Sequence, residues 1–411
     1  MANAHDITVT PLPHPAAARR RNPVSAYLCN QIGGVGRVWD QLQANPDVSF
    51  HQSRAWVESW AGGTGARLSI VTLEREGQTL AALPLEIVKT GGLKIARFAG
   101  TAYSNANTGL LPDNQGEEDI PVAPADLADA LNRAGLAADI VLFDKLLPET
   151  AQRAPYSALS RVWHHNPSFQ LPLSADFAAV LAQINGKRRR KKFRLSERRL
   201  EAVGGYRHIT GDDDAQALRL LETFLKQKPV RLAAQGLPNV FADAGVRAFL
   251  ARLAMTRDAD GAPGLELHGI ELQGQNEGRI IAVAGLTTKD RHITCQFGSI
   301  DETIAADASA GELLFYRMIE QASAAGATVF DFGVGDQLYK RSWCPVRTDL
   351  VDCYLPLSLK GRLAAPLLTT SIKLKRTVKT SPRLHRAAAW VRGLRVRNGK
   401  TNDADASRDE A

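Results

Sequence analysis

The sequence has 411 residues, of which 44% are hydrophobic and 23% are charged, and its formal net charge is +8. This composition is typical of a soluble globular protein with enough chain for two domains. It argues against a membrane-spanning protein, because no apolar run reaches the roughly 18 residues that a bilayer helix needs. No signal-type apolar segment follows Met1, so we expect a cytoplasmic protein with a disordered leader over residues 1–24.

The chain carries two similar successions of predicted elements. In each half, a hairpin with a polar, glycine-containing turn is followed by a helix and then by a hydrophobic strand. The pattern predicts the α/β (α+β) class with two tandem domains, each with a central mixed sheet flanked by helices. The matching elements are hairpins over 66–87 and 265–286, helices over 124–137 and 311–325, and strands over 139–143 and 327–332.

We place the first domain at residues 25–170 and the second at residues 171–357. Helical spacing of apolar residues predicts four more helices between the two hairpins. The fold is predicted to be complete at Leu357, and residues 358–411 are predicted to form a basic appendage. The four additional helices are expected over 176–183, 189–203, 213–228 and 242–257.

A predicted buried strand in the second half carries a carboxylate. Residues 329–332 are β-branched and aromatic, but Asp331 interrupts them, and Tyr339, Lys340 and Arg341 follow as donors. One interpretation is a structural ion pair. The other is an active-site wall at the strand end, where Lys340 stabilises developing negative charge. Tyr339 would then protonate the leaving group, and Asp331 would orient an attacking amine or hydroxyl.

The helix after residue 308 has two interpretations. Ser309 and Glu312 fit a capping box, which predicts a well-capped core helix. Alternatively, the free amides at the helix start and the small Gly311 form an anion site.

The residues 187–194 include seven Lys or Arg. They are either a solvated helix face or a contact for phosphate on a substrate. Nucleic-acid binding is not expected, because the run holds one aromatic residue, Phe193, and no recognition module.

Other reactive side chains receive structural interpretations. His268 and His292 are candidate bases but fit core or edge positions of strands. Cys295 has only His292 nearby as a base, so we interpret it as core packing. The cysteines lack the C-x-x-C spacing of a zinc site, so we expect reduced thiols and no metal. They are Cys29, Cys295, Cys344 and Cys353.

The second half resembles the acetyltransferase-type domain of the GNAT superfamily, in its CelD-like form associated with cellulose and exopolysaccharide synthesis. The first half resembles the partner domain of such proteins at residues 56–60, 83–85 and 100–107. The tandem arrangement is similar to the Fem-type aminoacyl transferases of peptidoglycan synthesis. The residues that carry the GNAT resemblance are the basic run 187–192, the strand 279–286, Ser309–Gly311 with Leu313 and Leu314, Asp331–Gly333, Gly335, Asp336 and 339–343.

The resemblance implies transfer of an acyl group from a thioester, usually acetyl-CoA or another acyl-CoA as co-substrate, to a small-molecule or saccharide amine or hydroxyl. It implies no permanently bound cofactor. The strand ending in Gln296, Phe297 and Gly298 would hold the pantetheine arm, and the helix start at Ser309, Ala310 and Gly311 would hold the pyrophosphate. Substrate contacts are assigned to Lys191, Asp336 and Trp343, and catalysis to Asp331, Tyr339 and Lys340.

The predicted pyrophosphate loop departs from the family pattern. Residues 305–311 hold one glycine, one acid and no basic residue. The donor could therefore be attached to a carrier protein, or the run 187–194 could meet its phosphates. A different class of function also fits: a non-catalytic accessory protein of a polysaccharide synthase at a membrane surface.

The C-terminal segment suggests a partner. Ser381 and Pro382 begin a predicted helix with Leu384, Ala388, Val391 and Leu394 on one face, among several arginines. Such a helix suits an anionic membrane surface at the inner face of the membrane, or an acidic partner. The alternative is a mobile basic tail.

Overall fold

The computed structural model describes residues 23–113 and 120–380. Within them, twelve strands form one sheet. The strands are β1 (Ser25–Cys29), β2 (Leu68–Arg75), β3 (Gln78–Thr90), β4 (Leu93–Phe98), β5 (Ile140–Leu146), β6 (Ser160–Pro172), β7 (Tyr206–Thr210), β8 (Glu266–Leu272), β9 (Ile280–Lys289), β10 (His292–Ile300), β11 (Val329–Val334) and β12 (Val346–Pro356).

Ten α-helices cover this sheet within the same described ranges. The helices are α1 (Gly36–Gln43), α2 (Arg54–Thr64), α3 (Pro124–Arg133), α4 (Phe177–Ala182), α5 (Gly186–Glu201), α6 (Asp214–Ala234), α7 (Ala244–Met255), α8 (Ala310–Ala324), α9 (Leu338–Trp343) and α10 (Leu359–Thr380). The prediction of a mixed α/β fold with a central sheet flanked by helices is confirmed.

The strand order is β1-β2-β3-β4-β5-β12-β6-β11-β10-β9-β8-β7. The last strand of the second half, β12, therefore lies between β5 and β6, and β6 pairs with β11. The predicted boundary between residues 170 and 171 falls inside β6. Each half thus completes its part of the sheet with a strand that pairs across to the other, and the domain limits stay a prediction.

The two halves also share a hydrophobic core. Helix α2 crosses α7 closely at Gly63, where a Cβ atom would lie 2.3 Å from the backbone nitrogen of Phe249. The ring of Trp56 packs edge-on against Phe249 at a centroid distance of 4.9 Å. The same cluster contains Phe224 of α6 and Ile70 of β2. Burial of these large apolar side chains joins the halves, because each contributes about 1.5–3 kcal/mol.

The prediction that the fold ends at Leu357 is wrong. Helix α10 lies against the sheet, with Ala365 in a cluster that includes Ile95 and Ile140. Gly361 makes the approach close, since a Cβ atom there would lie 1.8 Å from the carbonyl oxygen of Asp139. The sequence did not reveal which residues of α10 face the sheet, because leucines and cations alternate with them along the helix. The helix predicted from Ser381 lies outside the described residues.

Candidate functional site

The candidate site forms where two parallel strands separate. Strands β10 and β11 pair over only three residue pairs, from His292 opposite Val329 to Thr294 opposite Asp331. Strand β10 then continues to Ile300, with a bulge between Cys295 and Phe297. The divergence leaves a gap between the two strands, and a bulge commonly redirects side chains beside functional sites.

Asp331 stands at the last of these pairs and is buried. Its carboxylate accepts hydrogen bonds from Gln170 Nε2 at 2.9 Å, Ser168 Oγ at 3.2 Å and the backbone nitrogen of Gly333 at 2.6 Å. His292 Nε2 lies 3.3 Å from its other face. Burial by itself raises the pKa of Asp331, but the bonds from His292, Gln170 and Gly333 outweigh it and hold the pKa below its usual value. The carboxylate is therefore ionised at neutral pH.

The predicted bonds from Tyr339, Lys340 and Arg341 to Asp331 are wrong. The donors come instead from β6, β10 and the turn after β11, because the sheet order places β6 beside β11. Arg341 pairs with Asp336 at 2.5 Å, which raises the pKa of Arg341. Tyr339 stacks on Phe315 at 5.6 Å, and its partial burial raises its pKa.

Lys340 lies beside the end of β11. Helix α9 directs its side chain inward, where Nζ donates to the carbonyl oxygens of Gly333 at 3.1 Å and Val334 at 2.8 Å. Only 5% of the residue is exposed. Burial lowers its pKa from 10.5 to about 8. A lysine with such a pKa exchanges a proton near neutral pH, which suits acid–base work.

A polar network from the first half reaches this gap. Asn105 donates through Nδ2 to Gln296 Oε1 at 2.9 Å and accepts from the backbone nitrogen of Val334 at 3.0 Å. Both the Gln296 amide and the Asn105 backbone nitrogen point to Nε2 of His51, at 3.0 and 3.3 Å. His51 Nε2 is therefore an acceptor, and Nδ1 donates to Ser49 Oγ at 2.8 Å. Burial lowers the pKa of His51 to about 4, so the ring is neutral.

Gly333 allows Asn105 to enter. Its φ is +72°, and a Cβ atom there would lie 2.2 Å from Asn105 Oδ1. Both the backbone conformation and the available space therefore require glycine.

Beside Asp331 a cavity of about 290 Å³ opens between the two halves. It is large enough for a small acceptor group, and its walls mix apolar side chains with both signs of charge. It is lined by Asn45, Pro46, Asp47, Val48, Ser49, Phe50, His51, Asn105, Ala106, Thr108, Leu111, Leu147, Glu149, Thr150, Arg153, Gln170, Lys289, His292, Thr294 and Asp331.

The residues predicted to bind the donor lie in different environments. Gln296 joins the polar network described above. Phe297 stacks on Phe224 at 4.0 Å and belongs to the shared core, so its side chain does not offer a binding surface. The carbonyl oxygen of Gly298 accepts from Lys228 Nζ at 2.9 Å. The sequence could not show this packing, because Phe224 lies on a distant helix.

The predicted capping box at α8 is wrong. Ser309 has a left-handed backbone with φ of +53° and makes no side-chain cap, and Glu312 pairs with Arg189 at 2.5 Å instead. Ala310 is buried, and Gly311 lies close to Ile300, where a Cβ atom would come within 2.9 Å. The start of α8 is therefore shaped by backbone contacts rather than by a serine cap.

Helix α5 lies beside the start of α8. Besides Arg189, Lys192 approaches Glu312 at 3.8 Å, and Arg199 pairs with Asp307 at 3.0 Å. Lys191 of the same helix is exposed. This placement brings the cations of α5 to the edge of the segment that the sequence analysis assigned to pyrophosphate.

Trp343 is not available to a substrate. It is 1% exposed and is covered by the guanidinium of Arg189 at 3.9 Å from the ring centroid. Cys295 and Cys344 are buried, and burial raises the pKa of Cys295 to about 11, so core packing is confirmed for it. Over residues 23–113 and 120–380, no cluster of His, Cys, Asp or Glu is placed to hold a metal ion.

Sequence reasoning missed several residues of the site. His51 and Gln170 gave no signal, and Asn105 was noticed only within a resembling segment. His292 was interpreted as a strand position, yet its ring is partly exposed, lines the cavity and contacts Asp331. Gln170 lies on β6 opposite Asp331. It can be recognised as part of the site only when the strand order is known.

Comparison with known proteins is consistent with this geometry. Residues 187–341 match the acetyltransferase (GNAT) domain family. This stretch is therefore similar to GNAT-type domains, and an acyltransferase is the enzyme class that the match supports. No protein with a curated description matches the sequence.

Several solved structures are similar to this chain, and the similarity to FemX supports the same fold over most of it. The crystal structure of FemX is similar with a TM-score of 0.55 at 15% identity, over 80% of this chain and 97% of FemX. L-PGS from Bacillus licheniformis has a TM-score of 0.47 at 12% identity, over 78% of this chain and 97% of that one. A tandem GNAT protein from the clavulanic acid biosynthesis pathway has a TM-score of 0.41 at 11% identity, over 82% and 99%.

Proposed function

We propose that this protein transfers an acyl group from a thioester to an amine or hydroxyl acceptor held in the cavity between the halves. One observation carries the proposal: the ionised carboxylate of Asp331 lines the cavity, while the buried ammonium of Lys340 donates to Gly333 and Val334, which follow Asp331 on β11. A carboxylate and a cation thus both lie near the point where β10 and β11 separate. The match of residues 187–341 to GNAT domains supports the reaction class.

In this mechanism Asp331 accepts a hydrogen bond from the acceptor and orients its lone pair towards the thioester carbon. The new N–C or O–C bond forms, the C–S bond breaks, and the proton of the acceptor passes through His292, whose ring lines the cavity, to water. Negative charge that develops on the carbonyl oxygen is stabilised by the ammonium of Lys340. Positioning supplies much of the rate, because thioesters already react with amines.

The leaving thiolate needs a proton, and Lys340 suits this role better than Tyr339. A thiol has a pKa of about 8.5, close to the value of about 8 for Lys340. The pKa of Tyr339 is raised by burial, so transfer of its proton to a thiolate is uphill. We therefore assign the proton to Lys340 and leave Tyr339 as a wall of the gap beside Phe315.

Acyl-CoA is the donor that we propose, with its phosphates at the start of α8. Two features support this place. Ala305 and Ser309 hold left-handed backbones, which are costly for non-glycine residues and cluster at ligand sites. The cations of α5 lie alongside, where Lys192 and Arg199 pair with Glu312 and Asp307. The exposed Lys191 of the same helix adds positive charge that residues 305–311 lack. The proposed link to polysaccharide or cell-envelope synthesis rests on the CelD-like sequence resemblance.

A non-catalytic accessory role is the second candidate. The acids Asp307 and Glu312 beside the start of α8 favour it, since they oppose a pyrophosphate there. In that case the cavity would bind a ligand without turnover.

Thermal unfolding with acetyl-CoA, a long-chain acyl-CoA and free CoA separates these possibilities. A ligand at about 100 times its Kd adds about 2.7 kcal/mol to the native state, which raises Tm visibly. A shift with one thioester supports the transferase and identifies the donor class. If none of the three shifts Tm, the CoA donor is wrong and the carrier-bound donor or accessory role takes its place.

Asp331→Asn tests the acceptor side separately. The variant keeps the shape but removes the charge that orients the acceptor. We expect the donor-induced Tm shift to persist while transfer to a generic amine falls by about 10²-fold. Asp349→Asn, which changes an acid of β12 outside the cavity lining, is the matched control and should leave transfer unchanged. Full transfer by Asp331→Asn would remove Asp331 from the mechanism.

A further inference from the structure

Helix α10 has two apolar faces that point in opposite directions. Gly361, Ala365 and Ile372 face the sheet and are buried. On the other side of the helix lies a set of leucines, which we call the outer leucine stripe. Their exposures are 73% for Leu359, 72% for Leu363, 75% for Leu367 and 62% for Leu374.

The spacing aligns the four leucines along one side of the helix, with Thr370 between Leu367 and Leu374. At 100° per residue, Leu359, Leu363, Leu367 and Leu374 fall within about 80° of one another on the helix. A single exposed leucine needs no explanation, but four on one face of one helix form an apolar patch of the kind that marks an interaction site.

Cations border the stripe on both sides. Lys360 and Lys375 lie on one flank, and Arg362 and Lys373 on the other. No acid occurs between Leu357 and Lys400, although that segment contains twelve Lys or Arg. The surface therefore combines aliphatic side chains at its centre with positive charge at its margins.

This charge distribution limits the kinds of partner that could bind to the outer leucine stripe. A second copy of the same face would bring like charges together, which costs free energy. The chain from 381 to 400 carries the same sign of charge and no acid, so it offers nothing to pair with the flanking cations. Nucleic acid would satisfy the cations but leave the leucines in water.

We propose that the outer leucine stripe of α10 docks on an anionic lipid surface. The leucines would enter the boundary between head groups and acyl chains, while the flanking lysines and arginines meet lipid phosphates. The long cationic side chains suit this, because their stems lie along apolar surface and their heads reach the phosphates. This proposal is independent of the acyl transfer described above. It places the contact on the folded helix rather than on the segment after Ser381.

The test is co-sedimentation of the full chain with lipid vesicles. Vesicles of phosphatidylcholine alone are compared with vesicles that also contain phosphatidylglycerol. The decisive variant is Leu363→Ser together with Leu367→Ser, and the matched control is Val230→Ser, which removes an equally exposed apolar residue from α6. None of these side chains is buried, so the variants should fold.

We expect wild type and Val230→Ser to bind the anionic vesicles equally and phosphatidylcholine vesicles weakly. The double leucine variant should bind the anionic vesicles at least tenfold more weakly, which corresponds to about 1.4 kcal/mol or more. Arg362→Gln with Lys373→Gln should also weaken binding, and added salt should reduce that difference.

Three outcomes would overturn the proposal. The first is equal vesicle binding by wild type and the leucine variant, which would assign binding to the segment after 380. The second is an absence of vesicle binding with a dimer that the leucine variant dissociates in light scattering. The third is that the protein does not bind vesicles but binds DNA, and that the leucine variant binds DNA equally well.

Discussion

Each half of the chain contains one pair of parallel strands, and both pairs separate after three residue pairs. In the first half, β4 and β5 pair from Ile95 opposite Ile140 to Arg97 opposite Leu142. In the second half, β10 and β11 pair up to Thr294 opposite Asp331. The backbone arrangement is the same, but the last position holds an apolar Leu142 in one case and an ionised Asp331 in the other.

The first gap is filled by the chain itself. Asn107 forms a parallel bridge with Leu146 and donates to the carbonyl oxygen of Asp144 at 2.8 Å. Lys145 is buried and donates to the carbonyl oxygens of Thr101 and of Ser104. The loop 101–107 therefore occupies this gap.

The same loop projects Asn105 into the second gap. There it meets Gln296 and Val334, next to the cavity. Asn105 of the first half thus forms part of the wall of the gap in the second half. A buried lysine stands in each gap, and we expect Lys145 to serve stability and Lys340 to serve activity.

The largest effect is expected for Lys340→Met. Loss of a cation aimed at developing negative charge should lower kcat/KM by 10²–10³-fold in a thioester-transfer assay. The circular dichroism spectrum should remain that of the wild type. Lys226→Met, which alters an exposed lysine of α6, controls for loss of charge. If Lys340→Met kept wild-type activity, the proposed role of Lys340 in transfer would be wrong.

Lys145→Met should lower the stability of the protein rather than its activity. Removing the buried ammonium takes one donor from each of two carbonyl oxygens and the cation from the nearby Asp144, at a cost of about 3 kcal/mol in the free energy of unfolding. Urea titration measures this loss. Under conditions where the variant is fully folded, its kcat/KM should stay within about threefold of the wild type, because Lys145 does not touch the proposed substrates. A large loss of activity in folded protein would contradict the division of roles.

Gly333→Ala should destabilise the junction between the halves by about 2 kcal/mol. The added methyl group meets Asn105 at 2.2 Å, and the φ of +72° is unfavourable for alanine. Gly33→Ala is the control, because nothing lies within 4 Å of its Cβ position. Chemical denaturation of both variants checks the difference, and equal stabilities would mean that Asn105 is not held tightly there.

The lowered pKa of Lys340 gives the smallest predicted change, about 1 kcal/mol between pH 8 and pH 9. Between the folded pKa of about 8 and the unfolded value of 10.5, the unfolded state binds more protons. The free energy of unfolding of the wild type should therefore rise with pH in that window relative to Lys340→Met. Urea titrations of both proteins at pH 8 and pH 9 measure this. A difference that is constant with pH would mean that the lysine is not desolvated.

The local elements were predictable because each depends on a short stretch of chain. The alternation of β2 and β3 and the helical spacing of α8 reproduce the predicted hairpin and helix, since neighbouring residues decide which side chains share a face. The packing of α10 on the sheet and the capping of α8 were not predictable. In both, a contact with a distant segment overrides the local signal.

The sequence by itself determined the class of fold, the succession of strands and helices, and the presence of a charged motif at the end of β11. Only the tertiary structure decided which residues that motif meets. Gln170 reaches Asp331 from 161 positions away and Asn105 reaches Val334 from 229 positions away. Such contacts follow from the sheet order and the shared core, which arise from burial summed over both halves and leave no periodic trace in the chain.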